Sequence, residues 1–144
     1  MVVFLPFLLA LLPSLVQGTV LSYDPAYDNA ASSLTTVACS DGDNGLITRG
    51  FTTFGSLPKF PNIGGIGTIE GWNSRNCGTC HQLTYIHPTS GEKRSIDVLA
   101  IDKADNGFNI ALEAMNELTG KQGEALGRVN VAAKQVAASV CGLV

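Results

Sequence analysis

The sequence predicts a small β-rich domain: several short strands with one or two short helices. Three observations carry this. The chain has 144 residues, room for one domain. Apolar residues alternate with period two at His81–Ile86, Arg94–Ile101 and Arg128–Val136. Sixteen glycines and six prolines punctuate the rest as turns. Closure into a barrel suits such a set, because it removes exposed sheet edges.

Residues 1–18 form an uncharged apolar leader, too short to span a bilayer and interrupted by Pro6 and Pro13. They read as a secretory signal peptide cleaved after Gly18, leaving a domain at residues 19–144. Thr19–Tyr23 is a strand that Asp24-Pro25 breaks. A second apolar stretch covers Leu34–Cys39, and Asp41–Gly45 is a turn cluster. Residues 55–71, rich in glycine and containing Pro58 and Pro61, read as loop. His81–Ile86 places Leu83 and Tyr85 on one face, and His87–Gly91 turns the chain into Arg94–Ile101, with Ile96 and Val98 inward. Asn109 is positioned to cap a helix that ends at Gly120, with Leu112, Met115 and Leu118 as its stripe. Arg128–Val136 supplies a last strand, with Val129 and Val131 inward.

Charged residues make up only 15% of the chain, and the net charge is −3. An acidic chain without a basic stretch lacks the counterion-displacing side chains of a nucleic-acid binder. No segment after residue 18 is long and apolar enough to span a membrane. The product is expected to be a secreted, extracellular protein.

Four cysteines in an exported chain point to two disulfides, with three connectivities open. Pairing Cys39–Cys77 and Cys80–Cys141 would close loops of roughly 38 and 61 residues, about 4 kcal/mol each in the chain-entropy model. Cys77-Gly78-Thr79-Cys80-His81 also matches the c-type haem attachment motif, with Met115 as a distal ligand. Strand-and-turn surroundings weigh against haem, and against a thioredoxin-like site, which opens a long helix. Zinc on Cys77, Cys80, His81 and His87 is a further alternative, disfavoured in an exported domain. The expectation is no cofactor and no metal.

No Gly-x-Ser-x-Gly elbow is present, and Gly64-Gly65-Ile66-Gly67 does not complete a dinucleotide fingerprint. Asp97, Asp102 and Asp105 are the carboxylates to test for glycoside hydrolysis, which generally requires two. Asp97 falls on the strand face opposite Ile96 and Val98 and reads as a solvated residue. The stretch from Asp102 to Asn109 reads either as a turn or as a polar rim that hydrogen-bonds sugar hydroxyls.

Taken in order, Ser22-Tyr23-Asp24, Val37-Ala38-Cys39-Ser40-Asp41-Gly42, Phe60-Pro61-Asn62-Ile63-Gly64-Gly65, Gly71-Trp72, Cys77-Gly78-Thr79-Cys80 and Gly107-Phe108-Asn109 resemble the cerato-platanin family of small secreted fungal proteins. The resemblance covers residues 19–143. It implies a six-stranded double-ψ β-barrel with short helices, like that of expansins, and bridges Cys39–Cys77 and Cys80–Cys141. It also implies a shallow groove for chitin-type oligosaccharides. Tyr23 would stack or hydrogen-bond there, Asp102 accept from hydroxyls, and Asn109 pair through its amide. This chain departs from the pattern in having His81 where relatives often carry Trp, and in its charged Lys103-Ala104-Asp105-Asn106 stretch.

The function implied is non-catalytic binding of N-acetylglucosamine oligomers or fungal wall polysaccharide, with elicitation or modulation of host innate immunity through a host receptor. Two alternatives are weak expansin-like loosening or hydrolysis using Asp102, and a surface-active wall protein. The chain is expected to be a monomer or weakly self-associating.

Overall fold

The computed structural model describes residues 15–144. The first fourteen residues, most of the expected leader, lie outside them. Six strands close into one barrel: β1 (Gln17–Tyr23), β2 (Ile63–Ile66), β3 (Cys80–Ile86), β4 (Lys93–Lys103), β5 (Phe108–Ile110) and β6 (Arg128–Val136). Their order around it is β1-β5-β2-β4-β3-β6. Two pairings are parallel, β1 with β5 and β2 with β4; the other four are antiparallel. This is the closed six-stranded barrel with short helices that the resemblance implies.

The period-two segments became strands that bury one face, except at Val98–Ile101 of β4, where four consecutive residues are buried. In β3, Leu83 and Tyr85 are buried; in β4, Ile96 and Val98 are. They meet core residues Leu21, Ile63, Ile110, Met115 and Val131. His87–Gly91 makes the β3–β4 turn, closed by His87 N–H donating to Glu92 O at 2.8 Å. β1 begins at Gln17, two residues before the expected cleavage point, and Thr19 pairs with Val131 within the part that cleavage would keep.

Two expectations are corrected. Residues 55–71 are not simply loop, because β2 lies among them between β4 and β5. Its sequence, Ile-Gly-Gly-Ile, has no alternation; all four residues are buried because the strand is covered on both faces. Gly64 is required there: a Cβ would lie 2.3 Å from the Asn109 carbonyl oxygen. Asn109 likewise does not cap the helix. It sits in β5, and α1 (Leu112–Thr119) starts three residues later, after Ala111. Asp28 caps it instead, its carboxylate accepting from Leu112 N (2.8 Å) and Glu113 N (2.9 Å). Gly120 does end the helix in the left-handed conformation, with φ 69°. A short α2 (Gly123–Leu126) leads into β6.

The bridges are Cys39–Cys77 and Cys80–Cys141, as the resemblance implies, and no cysteine is free. Haem attachment and zinc ligation through Cys77 and Cys80 are thereby overturned, because both sulfurs are spent in disulfides.

Candidate functional site

The barrel register builds one row of neighbours across five strands. Asp102 on β4 pairs with Gly65 on β2, Gly65 with Asn109 on β5, Asn109 with Ser22 on β1, and Ser22 with Arg128 on β6. Residues paired in register project to the same side of a sheet. Leu21 and Ile110, adjacent to this row, are fully buried, so the row lies on the outer side of the barrel wall, with Gly65 itself covered by the Lys103 backbone.

Ser22, Asn109 and Arg128 line an open depression of about 460 Å³ together with Lys103, Ala104, Asp105 and Asn106. The Ser22 hydroxyl donates to Asn109 Oδ1 at 3.1 Å. That bond fixes the amide and leaves its two Nδ2 protons to donate outward. The rim therefore offers an amide donor, a second amide at Asn106, two cations and the Asp105 carboxylate. Such a mixture suits a polar, uncharged ligand better than a strongly charged one.

Asp102 does not line this depression. Its Oδ2 accepts from the Tyr27 hydroxyl at 2.8 Å, and its Oδ1 accepts from Ala38 N (3.0 Å) and Lys103 N (2.8 Å). The carboxylate ties the segments around Tyr27 and Ala38 to β4. Burial, then the adjacent Asp102 charge, push the Tyr27 phenol far above its usual range, so it stays a donor. Tyr23 ends β1, packs half-buried against the core, and lines neither this depression nor the next. Of the three residues singled out in the sequence, only Asn109 thus reaches the depression. Asp97 pairs with Gln82 on the β3–β4 ribbon, and Asp105 is exposed beside Asn106.

A second depression, about 510 Å³, opens on the other side of Asp105 and Asn106. His81 and Phe108 form its aromatic wall, ring edge to face with centroids 5.3 Å apart. Burial lowers the His81 pKa to about 4, so the ring is neutral at ordinary pH. The Thr79 hydroxyl contacts both Asn76 O (2.7 Å) and His81 Nε2 (2.8 Å). Its single proton goes to the carbonyl, which can only accept; Nε2–H then donates to Thr79 Oγ1. Leu15 and Gln17 also line this depression, and both precede the expected cleavage point.

The rim read from Asp102 to Asn109 supplies Lys103, Ala104, Asp105, Asn106 and Asn109 to the lining. Sequence reasoning missed Ser22 and Arg128 there, and Tyr27 as the partner of Asp102. No local pattern marks them. They meet only because β1 lies between β5 and β6, and because the turn at Pro25–Asp28 folds back onto β4. Among the described residues, no cluster of His, Cys, Asp and Glu is arranged to hold a metal ion, and no helix is long and apolar enough to cross a membrane.

Fold and site together define a class: a small, twice-stapled closed β-barrel with an open polar depression on its outer wall. The cerato-platanin family model matches residues 19–143, and the chain belongs to that family. It is 56% identical over 128 residues to the "Allergen Asp f 15 homolog" of Arthroderma benhamiae, a match covering 88% of this chain but 60% of that protein. With the "Heat-stable 19 kDa antigen" of Coccidioides immitis it shares 46% identity over 141 residues, covering 98% of this chain and 91% of that one. The crystal structure of cerato-platanin 2 from M. perniciosa superposes with a TM-score of 0.84 at 50% identity, covering 88% of this chain and all (100%) of that one.

Proposed function

We propose that this is a secreted, non-catalytic carbohydrate-binding protein that takes chitin-type oligosaccharides in the depression beside Ser22 and Asn109, and that hosts sense it. The observation that carries the reading is the Ser22–Asn109 bond, which sets an amide donor at the centre of an open polar surface. N-acetylglucosamine oligomers are uncharged and rich in hydroxyls and amide carbonyls, which such a rim can pair. Secretion is supported by the two disulfides, which persist in oxidising compartments, and by the uncharged leader at residues 1–18. The host-facing role is supported by the allergen and antigen names of its relatives.

A hydrolytic role for Asp102 has less support. A general acid must present its proton to the glycosidic oxygen. Both oxygens of Asp102 instead accept hydrogen bonds from the protein itself.

The test is an NMR titration of the mature protein with N-acetylglucosamine oligomers up to millimolar concentration. Backbone and side-chain shifts at Ser22, Asn106 and Asn109 are expected. Unmoved resonances there at saturation would remove the reading.

A further inference from the structure

We propose that Trp72 is a sugar-stacking platform, a second carbohydrate contact separate from the depression at Ser22 and Asn109. Its sugar chemistry rests on the function proposed above; its location does not. Trp72 is the single tryptophan of the chain, and it is 62% exposed. It lines neither depression beside the Asp105–Asn106 loop.

The ring is exposed, yet it is held. Its indole N–H donates to Asp41 Oδ1 at 2.6 Å. The backbone of Gly42 (φ +81°) lies so close that a Cβ there would sit 3.1 Å from the ring atom Cζ2. Asn73, next in sequence, is one of two non-glycine residues with positive φ (60°) among those described. Two bonds stabilise that left-handed conformation: Asn44 N donates to Asn73 Oδ1 (2.9 Å), and Asn44 Nδ2 donates to Asn73 O (3.0 Å). The Cys39–Cys77 bridge staples the same two segments together. An indole fixed before its ligand arrives has already lost the freedom that binding would otherwise remove. Unusual backbone held in place by several contacts marks functional positions more often than ordinary surface.

Neighbouring charge narrows the ligand. The two segments carry Asp41, Asp43 and Glu70, all exposed, against two cations, Arg75 and Arg49, the latter reaching Cys77 O at 3.5 Å. An excess of carboxylates disfavours nucleic acid, anionic lipid, or a second copy of the same patch. An uncharged pyranose satisfies both parts: its C–H face covers the indole, and a hydroxyl donates to Asp41. Oδ2 of that carboxylate makes no hydrogen bond among the described residues.

The experiment titrates the mature protein with tetra-N-acetylchitotetraose, following tryptophan emission and calorimetric heat in parallel. With one tryptophan, every emission change belongs to Trp72. Emission is expected to shift to shorter wavelength and saturate together with the heat. Trp72→Ala should be retained on insoluble chitin about three- to tenfold less, the size of one lost aromatic contact. Trp72→Phe, which can stack but cannot bond Asp41, should fall between, with unchanged Tm for both variants. A saturating heat with unmoved emission, or full retention of Trp72→Ala, overturns the platform and leaves the proposed function standing. No heat and no retention remove both. An emission shift driven by protein concentration alone makes Trp72 a self-association contact and overturns the proposal.

Discussion

The Tyr27 hydroxyl donates to Asp102 Oδ2 at 2.8 Å, joining positions 75 residues apart in the chain. Asp102 also holds the amides of Ala38 and Lys103, so one carboxylate fastens three segments. Tyr27→Phe removes a donor from a charged acceptor and should cost about 1.5–3 kcal/mol. Asp102→Ala should cost more, because it leaves three donors without their partner. Urea denaturation checks both. Binding lost in Asp102→Ala is therefore expected to track lost stability, whereas Asn109→Ala should lose binding at nearly unchanged stability.

That pair also shows where sequence reasoning ended. The strands at residues 81–86, 94–101 and 128–136 were legible because 81–86, 94–98 and 128–136 bury one face, which writes a period of two into the chain; Val98–Ile101, buried throughout, only continue one of them. β2 was not legible, because a strand covered on both faces and made of Ile-Gly-Gly-Ile leaves no alternation. Asp102 and Asn109 do share one row across Gly65. What the sequence could not say is which way Asp102 turns. The turn at Pro25–Asp28 decides that, and Tyr27 carries no signal that it will meet β4.

Helix α1 is capped at long range, and the cap should be measurable by itself. Asp28 accepts from Leu112 N and Glu113 N, 84 and 85 residues away. A carboxylate at a helix N-terminus satisfies free N–H groups and meets the positive end of the dipole. Asp28→Ala should lose about 1–2 kcal/mol in denaturant unfolding. Asp28→Asn, which keeps an acceptor oxygen but not the charge, should recover part of it.

His81 should impose a pH dependence on stability. Its folded pKa is lowered to about 4 by burial, from an ordinary value of 6.5. Between those values the unfolded chain takes up a proton that the folded chain refuses, so acid favours unfolding. Above pH 6.5 both states are neutral and the histidine contributes no slope; below about 4 both are charged and the slope vanishes again. The melting temperature should thus fall as pH drops from 6.5 towards 4. His81→Phe keeps an aromatic ring beside Phe108 but cannot titrate. Its curve should be flatter across that window, and an identical slope would assign the effect to other groups.

Two glycines of one segment, Gly64 and Gly67, should respond differently to the same added methyl group. At Gly64 the new Cβ would meet Asn109 O at 2.3 Å and Ile110 Cα at 2.6 Å. Both are backbone atoms of β5, and no rotamer change can clear them. Gly64→Ala must push β5 away from β2, with a cost of about 1–3 kcal/mol or more, as for overpacking a core. Because Asn109 is the residue displaced, oligosaccharide binding should weaken along with stability. At Gly67 the nearest atom to a new Cβ is Gly107 N at 3.4 Å, an ordinary contact. Gly67→Ala should leave stability within about 0.5 kcal/mol of the parent, as expected for a tolerated surface change. Thermal melts and the N-acetylglucosamine titration, run on both variants, separate a requirement for close strand approach at Gly64 from a general need for glycine in this segment.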